Sequence, residues 1–88
     1  MTKEDLDEII RRHDPIGLIR MGAPNHEYSP EAGTIFPRLQ RTVITSPQDV
    51  LNIVYDEFCA WFSGQTIAGH IDGYRTMSEE IYSQMERR

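Results

Sequence analysis

SPQDVLNIVYDEFCAWF, residues 46–62, is the most apolar stretch of the chain, and it begins with the signals that start a helix. Ser46 is a favoured N-cap residue, Pro47 suits the first helical position, and Asp49 places a carboxylate near the positive end of the helix dipole. The apolar residues that follow keep three-and-four spacing but cover more than one narrow face. We therefore predict a central helix over residues 50–62, surrounded by several neighbours, with Phe58, Trp61 and Phe62 in the core.

Helix signals also flank this segment on both sides. Thr2 can cap a first helix, which should stop near His13 because Pro15 biases Asp14 away from helical dihedrals. Ser29 is the expected cap of a second helix, bent by Pro37 and ending near residue 41. A last amphipathic helix should begin between residues 70 and 72, and its apolar face consists of Tyr74, Met77, Ile81 and Met85.

Strand alternation is sustained nowhere, so the predicted fold class is all-α. We expect one domain over residues 1–88, a compact bundle of four short helices with a long ordered loop between the first and the second. The apolar surface of four such helices exceeds what a chain of 88 residues covers well, which favours a homodimer.

Composition narrows the classes of partner. The net charge is -5, with 9 Lys plus Arg against 14 Asp plus Glu, which disfavours nucleic acid and favours a basic protein partner. A local basic face stays open, because residues 11–41 contain Arg11, Arg12, Arg20, Arg38 and Arg41. No apolar run is long enough for a membrane span, and the acidic start MTKEDLDEII does not resemble a secretory signal, so the predicted location is the cytoplasm.

The loop DPIGLIRMGAPNHEYS, residues 14–29, mixes turn-forming residues with apolar and aromatic ones. Gly and Pro steps punctuate its backbone, while Ile16, Leu18 and Tyr28 prefer burial, so the loop should be ordered by packing. Long loops within compact domains are usually functional or disordered, and this one is too apolar for disorder. The candidate residues for partner binding lie here: Asp14, Arg20, Asn25, His26 and Glu27.

Two other interpretations of the same residues stay open. In a purely structural one, Asp14 forms a turn with backbone hydrogen bonds, and Tyr28 packs while residues 25–27 face water. In a chemical one, Asp14, His26 and Glu27, with His70, converge in a small active site or metal site. No common nucleotide, hydrolase or metal motif occurs, so no catalytic residue, metal or cofactor is predicted.

The steps Asp14-Pro15-Ile16-Gly17, Ala23-Pro24, Glu27-Tyr28 and Pro30-Glu31 resemble the YugE-like family, small bacterial domains of unknown function. The resemblance covers about 70 residues, but only the loop motif is distinctive. Asn25-His26 stands where that family has an acidic residue, which puts in doubt any role that needs a carboxylate pair there. The resemblance implies an all-helical fold and leaves activity open. We expect a protein-interaction module, an adaptor, regulator or immunity-type protein that uses the 14–28 loop and acidic helix faces.

Overall fold

The computed structural model describes residues 1–23 and 27–86, and in this part of the chain every regular element is helical. Five α-helices follow one another: α1 Lys3–His13, α2 Ser29–Arg41, α3 Pro47–Trp61, α4 Gln65–Ala68 and α5 Arg75–Glu86. A 3₁₀ helix, Ile71–Tyr74, leads directly into α5. The described residues are compact, with a Cα radius of gyration of 12.0 Å. The prediction of an all-α fold is confirmed.

The predicted number of four helices is wrong, because one turn of helix does not produce a periodic pattern of apolar residues. After α3 the backbone takes positive φ at Ser63 and Gly64, and the Gly64 N–H donates to the Cys59 carbonyl at 2.8 Å. This is the bond that closes many helix C-termini. The short helix α4 follows at once. Its last residue, Ala68, is buried, and the Ala68 carbonyl accepts a hydrogen bond from the Tyr74 hydroxyl at 2.5 Å.

The four longer helices pack in a ring, in which α1 contacts α2 and α5, and α3 contacts the same two helices. Because α3 also contacts α4 and the 3₁₀ helix, its predicted central position is confirmed. The core lies between these helices, and its largest fully buried side chains are Tyr28, Tyr74, Phe58, Leu6, Ile10, Ile35, Leu51, Met77 and Ile81. No helix in the described part of the chain is both long and apolar enough to cross a membrane.

Aromatic rings meet around Phe58 in the middle of α3. Its ring centroid lies 5.2 Å from that of Tyr74, 5.8 Å from that of Phe62 and 6.1 Å from that of Tyr28. The prediction that Trp61 belongs to the core is wrong, since this residue is 45% exposed. Its indole N–H donates to the Thr34 hydroxyl at 3.0 Å on the surface of α2, where a polar atom is within reach.

The helix ends follow the predicted signals only in part. Thr2 caps α1 as expected, and Asp5 completes the capping box from the first turn. Ser29 does not cap α2; its hydroxyl donates instead to Asp7 of α1 at 2.8 Å. Hydrogen bonding across two helices thus takes the place of the local cap. Pro37 lies within α2, which continues to Arg41 as predicted.

Candidate functional site

The 14–28 loop begins where Asp14 ends α1. Asp14 has the left-handed backbone conformation, with φ 48° and ψ 57°, and its N–H donates to the Ile10 carbonyl at 2.8 Å. Aspartate is among the few residues other than glycine that adopt this conformation readily. The next residue is Pro15, so the helix cannot continue with normal hydrogen bonding. The sequence prediction of a helix end near His13 is confirmed.

The Asp14 carboxylate holds the first part of the loop in place. One of its oxygens accepts the N–H of Ile19 at 3.0 Å, and the other accepts the N–H of Arg20 at the same distance. The residue is only 8% exposed. The interpretation of Asp14 as a turn-forming residue is therefore confirmed, although its backbone partners lie five and six residues further along.

Tyr28 closes the loop from its other end. Its side chain is fully buried, and its hydroxyl donates to Asp14 Oδ1 at 2.6 Å. The same hydroxyl oxygen accepts the N–H groups of Ile16 and Leu18 at 3.2 and 3.4 Å. We call this set of hydrogen bonds the Asp14–Tyr28 centre. It joins the two ends of the loop, while Ile16 and Leu18 are half-buried against the core.

The pKa values of the two groups reflect this arrangement. Burial alone would raise the pKa of Asp14, but the Tyr28 hydroxyl, the two backbone N–H groups and the Arg20 guanidinium together bring it below its usual value. Burial raises the pKa of Tyr28, and its hydrogen bond to the Asp14 carboxylate raises it further. The stable pair is therefore an ionised Asp14 and a neutral Tyr28 around neutral pH.

Between these ends, the backbone folds into a turn that exposes two large side chains. The N–H groups of Met21, Gly22 and Ala23 donate to the carbonyls of residues 17, 19 and 18 at 3.0 to 3.1 Å. At the surface of this turn, the Arg20 side chain is 81% exposed and Met21 is 73% exposed. The Asp14–Tyr28 centre thus lies beneath a fixed backbone turn, and the turn carries an arginine and a methionine into solvent.

Gly17 makes room for the arginine. Its φ is 84°, and a Cβ at this position would lie 3.2 Å from a terminal guanidinium nitrogen of Arg20. The Nε atom of Arg20 lies 3.7 Å from Asp14 Oδ2. The guanidinium group therefore rests over the glycine backbone, beside a carboxylate that is already hydrogen-bonded to the loop.

The candidate residues from the sequence have different positions. Asp14 and Arg20 come together, the first buried and the second exposed, and Glu27 is exposed. Asn25 and His26 lie outside the described residues. His70 pairs locally with Asp72, at 3.5 Å between Nδ1 and Oδ2. Within the described part of the chain, no three His, Cys, Asp or Glu side chains are arranged to hold a metal ion.

The arginines of residues 11–41 do not form one continuous basic face. Arg38 contacts Asp56 and Glu57, each at 2.7 Å, and so ties α2 to α3. Arg12 forms a close ion pair with Glu80 of α5, and His13 Nε2 lies 2.8 Å from the same carboxylate. The hydrogen bonds from Arg12 and His13 lower the pKa of Glu80 against the effect of burial.

Sequence reasoning missed a pair of carboxylates beneath the start of α2. Glu31 is only 4% exposed, and its Oε2 has no hydrogen-bond partner among the described residues; the same holds for Oδ1 of Asp7. Burial raises the pKa of Glu31, and the nearby Glu27 and Asp7 add to this effect against one opposing backbone hydrogen bond. Its place in the first helical turn, where carboxylates normally face water, gave no sign of burial.

Glu31→Gln is expected to increase the free energy of unfolding by about 1 kcal/mol at pH 7, because a neutral amide replaces a buried charge with an unpaired oxygen. When folding raises the pKa of a carboxyl group, the folded protein becomes less stable as the pH increases from about 4.3 through the pKa of the folded state. The gain should therefore vanish near pH 4. Urea unfolding between pH 4 and 8 measures it, with exposed Glu79→Gln as the control. An equal stability of variant and wild type at pH 7 and 8 would contradict this assignment.

A groove lies beside the C-terminal halves of α2 and α5. This groove has a volume of about 780 Å³ and is lined by Met1, Phe36, Leu39, Gln40, Thr42, Ile44, Tyr82, Met85 and Glu86. The Tyr82 hydroxyl donates to the Thr45 carbonyl at 3.1 Å across it. Gln40, Thr42, Tyr82 and Glu86 give the groove several polar side chains, but none of them is buried.

Comparison with known proteins gave no match. No protein-family model matches the chain, and neither a curated protein nor a solved structure matches it at a significant score.

Proposed function

We propose that this chain is a small protein-interaction module whose partner contacts the 14–28 loop. The observation that supports the proposal best is the exposed pair Arg20 and Met21 on a turn held by the Asp14–Tyr28 centre. Arg and Met are enriched in protein interfaces. A surface that is fixed before binding loses less conformational entropy when a partner binds. In this proposal Asn25, His26 and Glu27 extend the contact.

The sequence placed Asp14 among the residues for partner binding, but we assign it a structural role within the loop. Its carboxylate is buried and accepts three hydrogen bonds from the loop, so in the proposal it shapes the surface and Arg20 touches the partner. An alternative function, a small enzyme or metal-binding protein that uses Asp14, His26 and Glu27, has less support. It requires an accessible carboxylate, and Asp14 does not offer one.

The charge of the molecule bears on the kind of partner. The first turns of α1 expose Glu4, Asp5 and Glu8, and the whole chain carries a net charge of -5. A basic protein would approach such a surface faster at low salt. We propose an adaptor, regulator or immunity-type role in a bacterial cytoplasm; the likeness to the YugE-like family implies the bacterial origin. A homodimer through the same loop is the competing use of this surface.

Affinity capture from the host lysate tests this function. The double variant Arg20→Ala and Met21→Ser should recover at least about tenfold less partner than the wild type, since central Arg and apolar contacts often contribute 2 kcal/mol or more. The matched control is Arg41→Ala with Val43→Ser, which also removes one exposed arginine and one exposed apolar side chain, Val43 being 84% exposed. Light scattering on the same proteins detects a homodimer.

Unchanged recovery of the partner by the loop variant would contradict the proposal. If the control variant alone lost the partner, the interface would lie at the groove instead, because Thr42 and Ile44 next to Val43 line it.

A further inference from the structure

A shallow hollow lies where the end of α1 meets the loop. Its volume is about 550 Å³, and it is lined by Arg11, Arg12, His13, Asp14, Ile19 and Arg20. Three of these six residues are arginines and one is an acid, and Glu80 offsets the charge of Arg12, which leaves Arg11 and Arg20 against Asp14 although the chain as a whole is acidic. Such a concave cationic surface favours a small anion or an anionic side chain.

The lining residues differ in how far they are already engaged. Glu80 pairs with both Arg12 and His13, and the Asp14 carboxylate accepts hydrogen bonds from Tyr28 and two backbone N–H groups. Arg11 makes neither an ion pair nor a side-chain hydrogen bond with another described residue. Among the described residues, Arg20 forms an ion pair only with Asp14, and its side chain stays 81% exposed. Two guanidinium groups therefore keep N–H donors for a ligand.

Arg20 is positioned by its surroundings. Asp14 Oδ2 lies 3.7 Å from its Nε, and Gly17 leaves the space that its terminal nitrogen occupies. The C-terminal end of α1 weakly repels an anion at an exposed site. Hydrogen bonds from two guanidinium groups oppose this repulsion, because each of them is charge-assisted.

We propose that this hollow is an oxyanion site in which Arg11 and Arg20 bind a carboxylate or phosphate group. The planar guanidinium group matches two oxygens of such an anion at once, which an ammonium group does not. That the anion is carried by a protein partner rests on the proposed function of the loop; the site itself does not. An acidic group of the partner would then dock beside Met21, while basic groups of the same partner face the acidic surface of α1.

NMR of the arginine Nε–Hε groups tests the site without a partner. Inorganic phosphate and acetate are titrated separately at constant ionic strength, with sodium chloride as the reference salt. We expect saturable shifts of Arg11 and Arg20 with at least one of the two anions, and only the shared salt effect at Arg41. Comparison of the phosphate and acetate titrations identifies which oxyanion the site prefers.

The variants Arg11→Gln and Arg20→Gln should each weaken binding of the preferred anion at least fivefold, and Arg41→Gln should leave it unchanged. Gly17→Ala should weaken it while Arg20 is still present, because a side chain at a φ of 84° strains the turn that carries Arg20 and its methyl group forces the guanidinium to shift. Circular dichroism confirms that each variant folds. Shifts of Arg11 and Arg20 no larger than that of Arg41, or equal binding by the glutamine variants, would overturn the site. If the wild type binds the anion but the double variant Arg20→Ala and Met21→Ser captures as much partner as the wild type, only the proposed function is refuted.

Discussion

Tyr28→Ala is expected to reduce the free energy of unfolding by about 3 to 5 kcal/mol, the range for the loss of a large aromatic side chain from a core. Tyr28 is fully buried and its ring packs against Phe58 of α3. The change also removes the hydroxyl, which accepts hydrogen bonds from two loop N–H groups and donates one to Asp14. Urea unfolding at pH 7, followed by circular dichroism, measures the loss.

Tyr28→Phe separates the two contributions of this residue. The ring and its packing stay, but the Ile16 and Leu18 N–H groups lose their shared acceptor, and Asp14 Oδ1 keeps only the hydrogen bond from the Ile19 N–H. We expect a loss of about 1 to 3 kcal/mol, the cost of buried groups left without hydrogen bonds. If Tyr28→Phe were as stable as the wild type, the hydroxyl would contribute nothing, and packing alone would order the loop.

Asp14→Asn is expected to reduce the free energy of unfolding by about 2 to 3 kcal/mol at pH 7. Asparagine tolerates the left-handed backbone conformation at this position, so the substitution acts mainly on the carboxylate. One carboxylate oxygen, an acceptor, is replaced by an amide NH₂ group, which is a donor. This group then faces a backbone N–H of the loop, which is also a donor. The lost interactions are hydrogen bonds to a charged group, which are the stronger class.

The effect of Asp14→Asn should depend on pH. A carboxylate whose pKa is lowered on folding adds stability above its unfolded value of about 3.9, and this stability is lost as the pH falls through the pKa of the folded state. The difference between wild type and variant should therefore narrow below pH 4. Asp49→Asn is the matched control, because Asp49 also accepts a backbone N–H, from Thr45, but near the surface. A loss at Asp49 equal to that at Asp14 would contradict a special role for the loop carboxylate.

Local signals in the sequence predicted much of the fold. Pro15 predicted the end of α1, Thr2 its start, and the apolar spacing of residues 50–62 the central helix, because each of these effects acts over a few residues. The single turn α4 has no such signal. The position of Trp61 depended on an acceptor, Thr34, that lies 27 residues away in the chain. Spacing within one helix carries no information about such a neighbour.

The candidate site was harder to predict for the same reason. The aspartate before a proline and the tyrosine at the far end of the loop were visible signals, but their hydrogen bond spans 14 residues. Arg11 and Arg20 face one hollow only because α1 stops at His13 and the chain turns back at Gly17. The burial of Glu31 likewise follows from the packing of α1 on α2. Folding determines each of these relations between segments.

Amide hydrogen exchange at Ile19 and Arg20 is the most direct test of the claim that the Asp14–Tyr28 centre holds the loop. We expect slow exchange of both amides in the wild type and fast exchange in Asp14→Asn, with the amide of Val54 in α3 protected in both proteins. The amide of Val43, in the exposed connector between α2 and α3, gives the rate of an open backbone. Exchange of Ile19 and Arg20 as fast as that of Val43 in the wild-type protein would contradict the account.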